Sequence, residues 1–112
     1  MYEKETLADL EAVRELISDP GNWVQCSIAL NPAGFVVDPT DPKACRFCLL
    51  GAMYKVTGRI EWAARENNAR YYRLRDAFSL KNSLSSFNDR VTHSEVLAML
   101  DADIVAFRQK VT

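Results

Sequence analysis

The sequence predicts a mainly α-helical fold: a compact bundle of about four helices around a buried central helix at 41–58. A small β-hairpin is predicted at about 23–37. Apolar residues recur at three- and four-residue steps near both ends of the chain, and the stretch at 41–58 is apolar on nearly every side. The length of 112 residues suits a single helical domain covering 1–112.

The first helix is predicted from about Glu3 to Ser18. Its acids crowd the first half, where the helix dipole favours negative charge. Asp19-Pro20-Gly21 ends it. One apolar stripe faces the core, formed by Leu7, Leu10, Val13 and Ile17.

The hairpin is predicted from two β-prone runs, 23–30 and 35–37, on either side of Asn31-Pro32-Ala33-Gly34. A lone hairpin is marginally stable in water, so it should lie on the helices. Trp23 and Phe35 are the expected anchors. An irregular loop is the alternative interpretation.

The central helix is predicted to begin at Asp41, which suits an N-cap, and to end at Gly58. A helical wheel places Cys45 and Cys48 on its packed side. Gly51 in this helix would let a neighbouring helix approach closely.

The third helix is predicted from about residue 59 or 60 to Leu80. Asn88-Asp89-Arg90 reads as a turn whose side chains bond to nearby backbone. Thr92-His93-Ser94-Glu95 is a capping box, which predicts that the last helix starts at Thr92.

Charge and composition exclude several classes of protein. The net charge is −1, so a strongly basic nucleic-acid binder is not expected. No apolar run is long enough to span a bilayer, and no secretory signal is seen. We therefore expect a cytoplasmic protein with reduced cysteines and no membrane contact; its oligomeric state stays open.

The third helix carries the residues that we predict bind a partner. Trp62 and Tyr72 fall off its core side, and exposed aromatic residues often anchor protein interfaces. Arg70 and Arg73 lie near each other on the wheel and are included as binding residues. A phosphate-binding face is the alternative, although most such charge runs are simply solvated.

Two alternatives use the cysteines. A Cys48 or Cys45 thiolate at a helix start, His93 as base and Asn88 or Asp89 as orienting group would supply a cysteine-dependent enzyme. Alternatively, one tetrahedral zinc site would need four ligands: Cys26, Cys45, Cys48 and His93. The simpler interpretation makes Cys45 and Cys48 core residues, with no metal and no cofactor.

Three short motifs resemble those of a family of small bacterial and phage proteins of unknown function. They are Trp23-Val-Gln25, Cys48-Leu-Leu-Gly51-Ala52 and Phe87-Asn88-Asp89 with Thr92, where Phe87 replaces the usual Trp. The resemblance implies a compact helical domain and no known activity. We accordingly expect a non-enzymatic protein-binding or regulatory module; a small-ligand site where the motifs converge is the alternative.

Overall fold

The computed structural model describes residues 2–59, 68–80 and 83–111. Within these ranges it contains five α-helices, so the mainly α-helical prediction is confirmed. They are α1 (Glu3–Leu16), α2 (Leu49–Thr57), α3 (Asn68–Asp76), α4 (Leu84–Arg90) and α5 (His93–Val111). Trp62 and the predicted start of the third helix lie outside the described residues.

The core forms where α1 packs against α5, α2 and α3. Three of the four predicted stripe residues of α1 are fully buried, and α5 contributes a matching apolar face. Burying such side chains is the main favourable term in folding. The residues concerned are Leu10 and Val13 on α1, Ile17 directly after it, and Val96, Leu100 and Ile104 on α5.

Two helix ends follow their sequence signals. The Thr92 hydroxyl oxygen accepts from the Glu95 N–H at 3.2 Å, and the Glu95 carboxylate accepts from the Thr92 N–H at 3.1 Å. This is the predicted capping box. Gly58 follows α2 in the left-handed conformation (φ 73°), and its N–H bonds to the Tyr54 carbonyl.

The start of the central helix was predicted wrongly. The helix begins at Leu49, and Cys48 rather than Asp41 is its N-cap. Asp41 instead accepts a local bond from the Lys43 N–H at 2.8 Å. The N–H groups of Cys45 and Cys48 donate to carbonyls of the segment 28–30. Residues 45–48 therefore pair with that segment and do not form the first turn of the helix.

The strands also pair differently from the predicted hairpin. The strand β1 (Ala29–Leu30) runs antiparallel to β2 (Arg46–Phe47), with Ala29 opposite Phe47 and Leu30 opposite Arg46. The predicted partner segment also pairs with β1, through a bridge between Leu30 and Val36. The Asn31 N–H donates to the Phe35 carbonyl at 2.9 Å, and the Val37 N–H donates to the Ala29 carbonyl at 3.1 Å. The sheet is thus closed by a segment that the sequence assigned to the central helix.

Of the two expected hairpin anchors, only Trp23 packs against the core. Phe35 is 68% exposed, so its prediction as an anchor was wrong. The turn before it is held by the Asn31 side chain, which accepts from the N–H groups of Ala33 and Phe35. These local bonds fix Phe35 on the outside.

Candidate functional site

The motif residues that are far apart in sequence converge on Asn88, which is fully buried at the end of α4. Its side-chain oxygen accepts from the Trp23 Nε1–H at 2.6 Å and from the Leu49 N–H at 3.0 Å. Its amide nitrogen donates to the Val24 carbonyl at 3.1 Å and to the Asp89 carboxylate at 3.0 Å. An amide side chain offers two donors and two acceptor lone pairs, so Asn88 is fully used.

Gln25 and Asp89 extend this arrangement, and we call Trp23, Gln25, Asn88 and Asp89 the Asn88 network. The Gln25 side-chain nitrogen donates to the carbonyls of Asn88 (3.1 Å) and Val91 (2.8 Å). The Asp89 carboxylate also accepts from the Cys26 N–H at 2.8 Å. Cys26 has φ 64°, a conformation that non-glycine residues rarely adopt, and this bond helps to hold it.

We predicted that the side chains of Asn88 and Asp89 bond only to the backbone of their own loop, and this prediction missed their long-range bonds. Their bonds reach back to the segment 23–26 and across to the start of α2. No periodicity in the sequence reports such pairing. The resemblance of the three motifs to those of a known family was the one signal that grouped these residues.

Gly51 lets α2 lie directly on the backbone at residue 28, in the bend just before β1. A Cβ atom added at Gly51 would overlap the Ile28 carbonyl oxygen. A close approach at Gly51 was predicted, but its neighbour is this bend and not a helix. This contact fixes how closely α2 packs against the backbone at residue 28, next to the Asn88 network.

Cys48 caps α2 with its sulfur, which accepts from the Gly51 N–H at 3.3 Å. Burial raises the pKa of the Cys48 thiol, and the nearby Asp89 charge acts in the same direction. The backbone N–H groups of Gly51 and Leu50 favour the thiolate, but burial is the larger effect. The helix start was expected to lower the pKa of the Cys48 thiol, but burial raises it by more.

A cavity of about 240 Å³ lies beside Cys48. Its lining combines two thiols, two hydroxyls and a carboxylate with two apolar side chains: Cys26, Ser27, Ile28, Cys48, Leu50, Ser85 and Asp89. Cys45 lines a different cavity, next to the turn at 31–34. The two cysteines of the Cys45-Arg-Phe-Cys48 motif thus face different surroundings.

His93 is held away from this chemistry. Its Nε2 lies 2.7 Å from the Ile17 carbonyl, which can only accept, so Nε2 carries the proton. Its ring packs 5.4 Å from the Trp23 ring. His93 neither lines the Cys48 cavity nor bonds to a cysteine, so the proposed nucleophile lacks its base.

The zinc ligand set is not assembled either. Across residues 2–59, 68–80 and 83–111, which include all four candidate ligands, no three metal-ligating side chains come together. The three cysteines are free thiols.

On α3, Tyr72 is 39% exposed and is flanked by two arginines. The Arg75 guanidinium lies 4.8 Å from the Tyr72 ring centroid. The Arg59 guanidinium lies 5.5 Å from it and 4.3 Å from that of the buried Tyr71. Cation–π contacts of this kind restrain both partners. The sequence identified Tyr72 but not these stacks.

Arg70 and Arg73, predicted to bind a partner, pair with α1. Arg70 makes a bidentate pair with Asp9 at 2.9 and 2.7 Å, and Asp9 is only 3% exposed. Arg73 pairs with Glu5 at 2.9 Å. A buried carboxylate needs such a partner, so the Arg70 pair holds α3 on α1.

In the described part of the chain, no helix is both long and apolar enough to cross a membrane.

A family model described as a family of unknown function (DUF6197) matches residues 1–104. Neither the curated proteins nor the solved structures contain a match to this chain.

Proposed function

We propose that this chain, which belongs to the family of unknown function DUF6197, is a non-enzymatic protein-binding or regulatory module. The polar groups of Asn88 are committed to bonds inside the fold, and His93 is bonded to the Ile17 carbonyl just after α1. They are therefore not free to act on a substrate. On the motif resemblance we propose a bacterial or phage role, in the cytoplasm, where free cysteines stay reduced.

The observation that carries this proposal is the exposed tyrosine of α3 between two arginine side chains. We call Arg59, Tyr72 and Arg75 the α3 surface. Tyrosine and arginine are enriched among the residues that dominate binding energy. Because both arginines are stacked on tyrosine rings, little side-chain freedom would be lost on binding.

Three further residues belong to the proposed interface. Trp62, nearby in sequence, is proposed as a second aromatic anchor. Arg70 and Arg73 are proposed to form its rim, while their pairs with Asp9 and Glu5 hold α3 in place. These pairs also balance the positive charge, so the surface suits a protein better than a nucleic acid.

Site-specific photo-crosslinking tests this function. The photoreactive p-benzoylphenylalanine would replace Tyr72 in one variant and the exposed Ala98 of α5 in a control variant. After irradiation in extract of the source organism, we expect a discrete protein adduct at position 72 only. Excess unlabelled chain should suppress it, whereas chain carrying Tyr72→Ala and Arg75→Ala should not.

Two results would contradict the proposal. One is an equal adduct at positions 72 and 98, which would indicate unspecific collision. The other is suppression by the double variant as strong as by the original chain, which would show that α3 does not hold the partner.

A small-ligand site is the second candidate function, favoured by the cavity beside Cys48. The carboxylate of Asp89 and the hydroxyls of Ser27 and Ser85 line it, and converging polar groups in a pocket are typical of ligand sites. Screening a fragment library by NMR tests it. The candidate predicts shift changes clustered at Ser27, Ser85 and Asp89; shifts scattered over the surface would remove it.

A further inference from the structure

We infer that the turn at 31–35 presents a second binding surface, separate from α3, for a protein segment that joins an apolar side chain to a carboxylate. We call Leu30, Val36 and Arg46 the turn face. Three observations carry the inference: the placement of these side chains, the rigidity of the turn and the lack of a partner for Arg46.

Strand register places these three side chains in one row. Arg46 is opposite Leu30 in the β1–β2 pair, and Leu30 is bridged on its other side to Val36. Directly opposed residues of antiparallel strands lie on the same face. The adjacent pair, Ala29 and Phe47, is buried, so the row with Arg46 is on the outward face.

The apolar part of the turn face is Val36, which is 61% exposed, beside the partly buried Leu30. Val36 is therefore accessible to an apolar side chain of a partner. Phe35 is 68% exposed, but side chains alternate along an extended segment, so Phe35 points to the opposite face and is not part of the turn face.

The turn holds this shape without a partner. Asn31 accepts at its side-chain oxygen from the N–H groups of Ala33 and Phe35, both at 3.0 Å. Its backbone donates to the Phe35 carbonyl and accepts from the Gly34 N–H, both at 2.9 Å. Gly34 supplies the left-handed conformation (φ 86°). A preorganised loop loses little entropy when it binds.

Arg46 defines the chemistry of the partner. Among the described residues its guanidinium has neither a carboxylate partner nor an aromatic ring against it. By contrast, carboxylates pair with Arg14, Arg70, Arg73, Arg75 and Arg108. With Cys45 and the turn, Arg46 lines a cavity of about 310 Å³, and arginine binds carboxylates with two parallel hydrogen bonds. An acidic side chain beside an apolar one therefore complements the turn face.

Selection from a random linear peptide library displayed on phage tests this inference. We expect the selected peptides to combine Asp or Glu with a neighbouring aromatic or aliphatic residue. Val36→Ser and Arg46→Glu should each weaken their binding about tenfold or more, as for central interface residues. The matched controls, Val105→Ser and Arg90→Glu, change an exposed valine and an exposed arginine elsewhere and should leave binding unchanged.

A charge reversal sharpens the test, because peptides selected against Arg46→Glu should carry Lys or Arg instead. Three results would overturn the inference: no enrichment of any peptide, enriched peptides without acids, or equal binding by the Val36→Ser variant. Concentration-dependent self-association that Val36→Ser abolishes would also overturn it, since a second copy would then occupy the face. None of these variants alters the α3 surface, so the proposed function would survive their failure.

Discussion

At the scale of single residues, the choice of Asn at position 88 follows from what surrounds it. Two donors, the Trp23 indole and the Leu49 N–H, point at its oxygen, while two acceptors face its nitrogen. Aspartate would place a second carboxylate beside Asp89, and leucine would leave the Trp23 indole, the Leu49 N–H and the Val24 carbonyl without their partner. Only an amide satisfies both sides at once.

Burial of Cys48 lowers the reactivity of its thiol. Since burial raises the pKa of its thiol, little thiolate is present at neutral pH. Iodoacetamide should therefore alkylate Cys48 far more slowly than the exposed Cys26, and the rate should keep rising as the pH increases towards the raised pKa. Peptide mass spectrometry of timed samples measures both rates in one experiment.

Alkylation of Cys48 as fast as Cys26 at neutral pH would revive the nucleophile hypothesis. Cys45→Ser is the matched control variant for this experiment, because Cys45 lines a different cavity. In this variant the ratio of the Cys48 to the Cys26 alkylation rate should be unchanged.

At the scale of elements, the helices were predictable where their signals are local. The apolar stripe at Leu7–Ile17, the capping box of α5 and the terminal Gly58 of α2 are each signals within about three helical turns of chain or fewer. The start of α2 was not predictable in this way. Asp41-Pro42 is a good helix-start signal, yet the N–H groups of Cys45 and Cys48 find partners in the segment 28–30. Long-range pairing overrode local propensity.

The helix α4 was missed for a related reason. It has seven residues, and its sequence begins with Leu84-Ser85-Ser86. Serine competes with the helix through local hydrogen bonds and so favours turns. Burial of Leu84 and Asn88 stabilises this helix, and burial depends on tertiary contacts that a sequence pattern does not report.

Gly51 provides the prediction for the element scale. In an open helix, Gly→Ala stabilises by about 1 kcal/mol. Here the added methyl group would meet the Ile28 carbonyl, so Gly51→Ala should destabilise instead, and Gly51→Leu more strongly, by about 1–3 kcal/mol or more. Thermal melting followed by circular dichroism measures the change.

The exposed Lys43 supplies the control, and Lys43→Ala should leave the melting temperature nearly unchanged. A stabilising Gly51→Ala, or equal melting temperatures for Gly51→Leu and Lys43→Ala, would show that α2 does not lie against residue 28.

At the scale of the whole molecule, the Asn88 network connects three parts of the chain that are distant in sequence. It joins the segment 23–26 to the start of α2 and to the end of α4. The motif resemblance grouped Trp23, Gln25, Asn88 and Asp89, which the hydrogen bonds connect. It did not reveal whether they face each other or a ligand, because that depends on which polar atoms are already paired. The distances show that the polar atoms of Asn88 are paired within the fold, whereas Asp89 also lines the cavity beside Cys48.

The surfaces could be predicted only in part. Tyr72 was identified by its position off the helical stripe, and it is exposed as expected. Arg70 and Arg73 were assigned by the same wheel, which does not show that Asp9 and Glu5 on another helix pair with them. Phe35 was assigned to the core because apolar residues in short strands usually anchor them, and the bonds of Asn31 reversed that expectation.

Urea denaturation of Asn88→Ala most directly tests whether the motif residues hold the fold together instead of forming an active site. Removing the amide leaves the Trp23 indole, the Leu49 N–H and the Val24 carbonyl without their partner. At about 1–3 kcal/mol for each unpaired buried group, we expect the free energy of unfolding to fall by about 3 kcal/mol or more. The exposed Asn22 is the matched control. Asn22→Ala should change the free energy of unfolding by less than about 0.5 kcal/mol. Active-site residues often cost stability, so an Asn88→Ala variant as stable as the original chain, or more stable, would contradict the structural role.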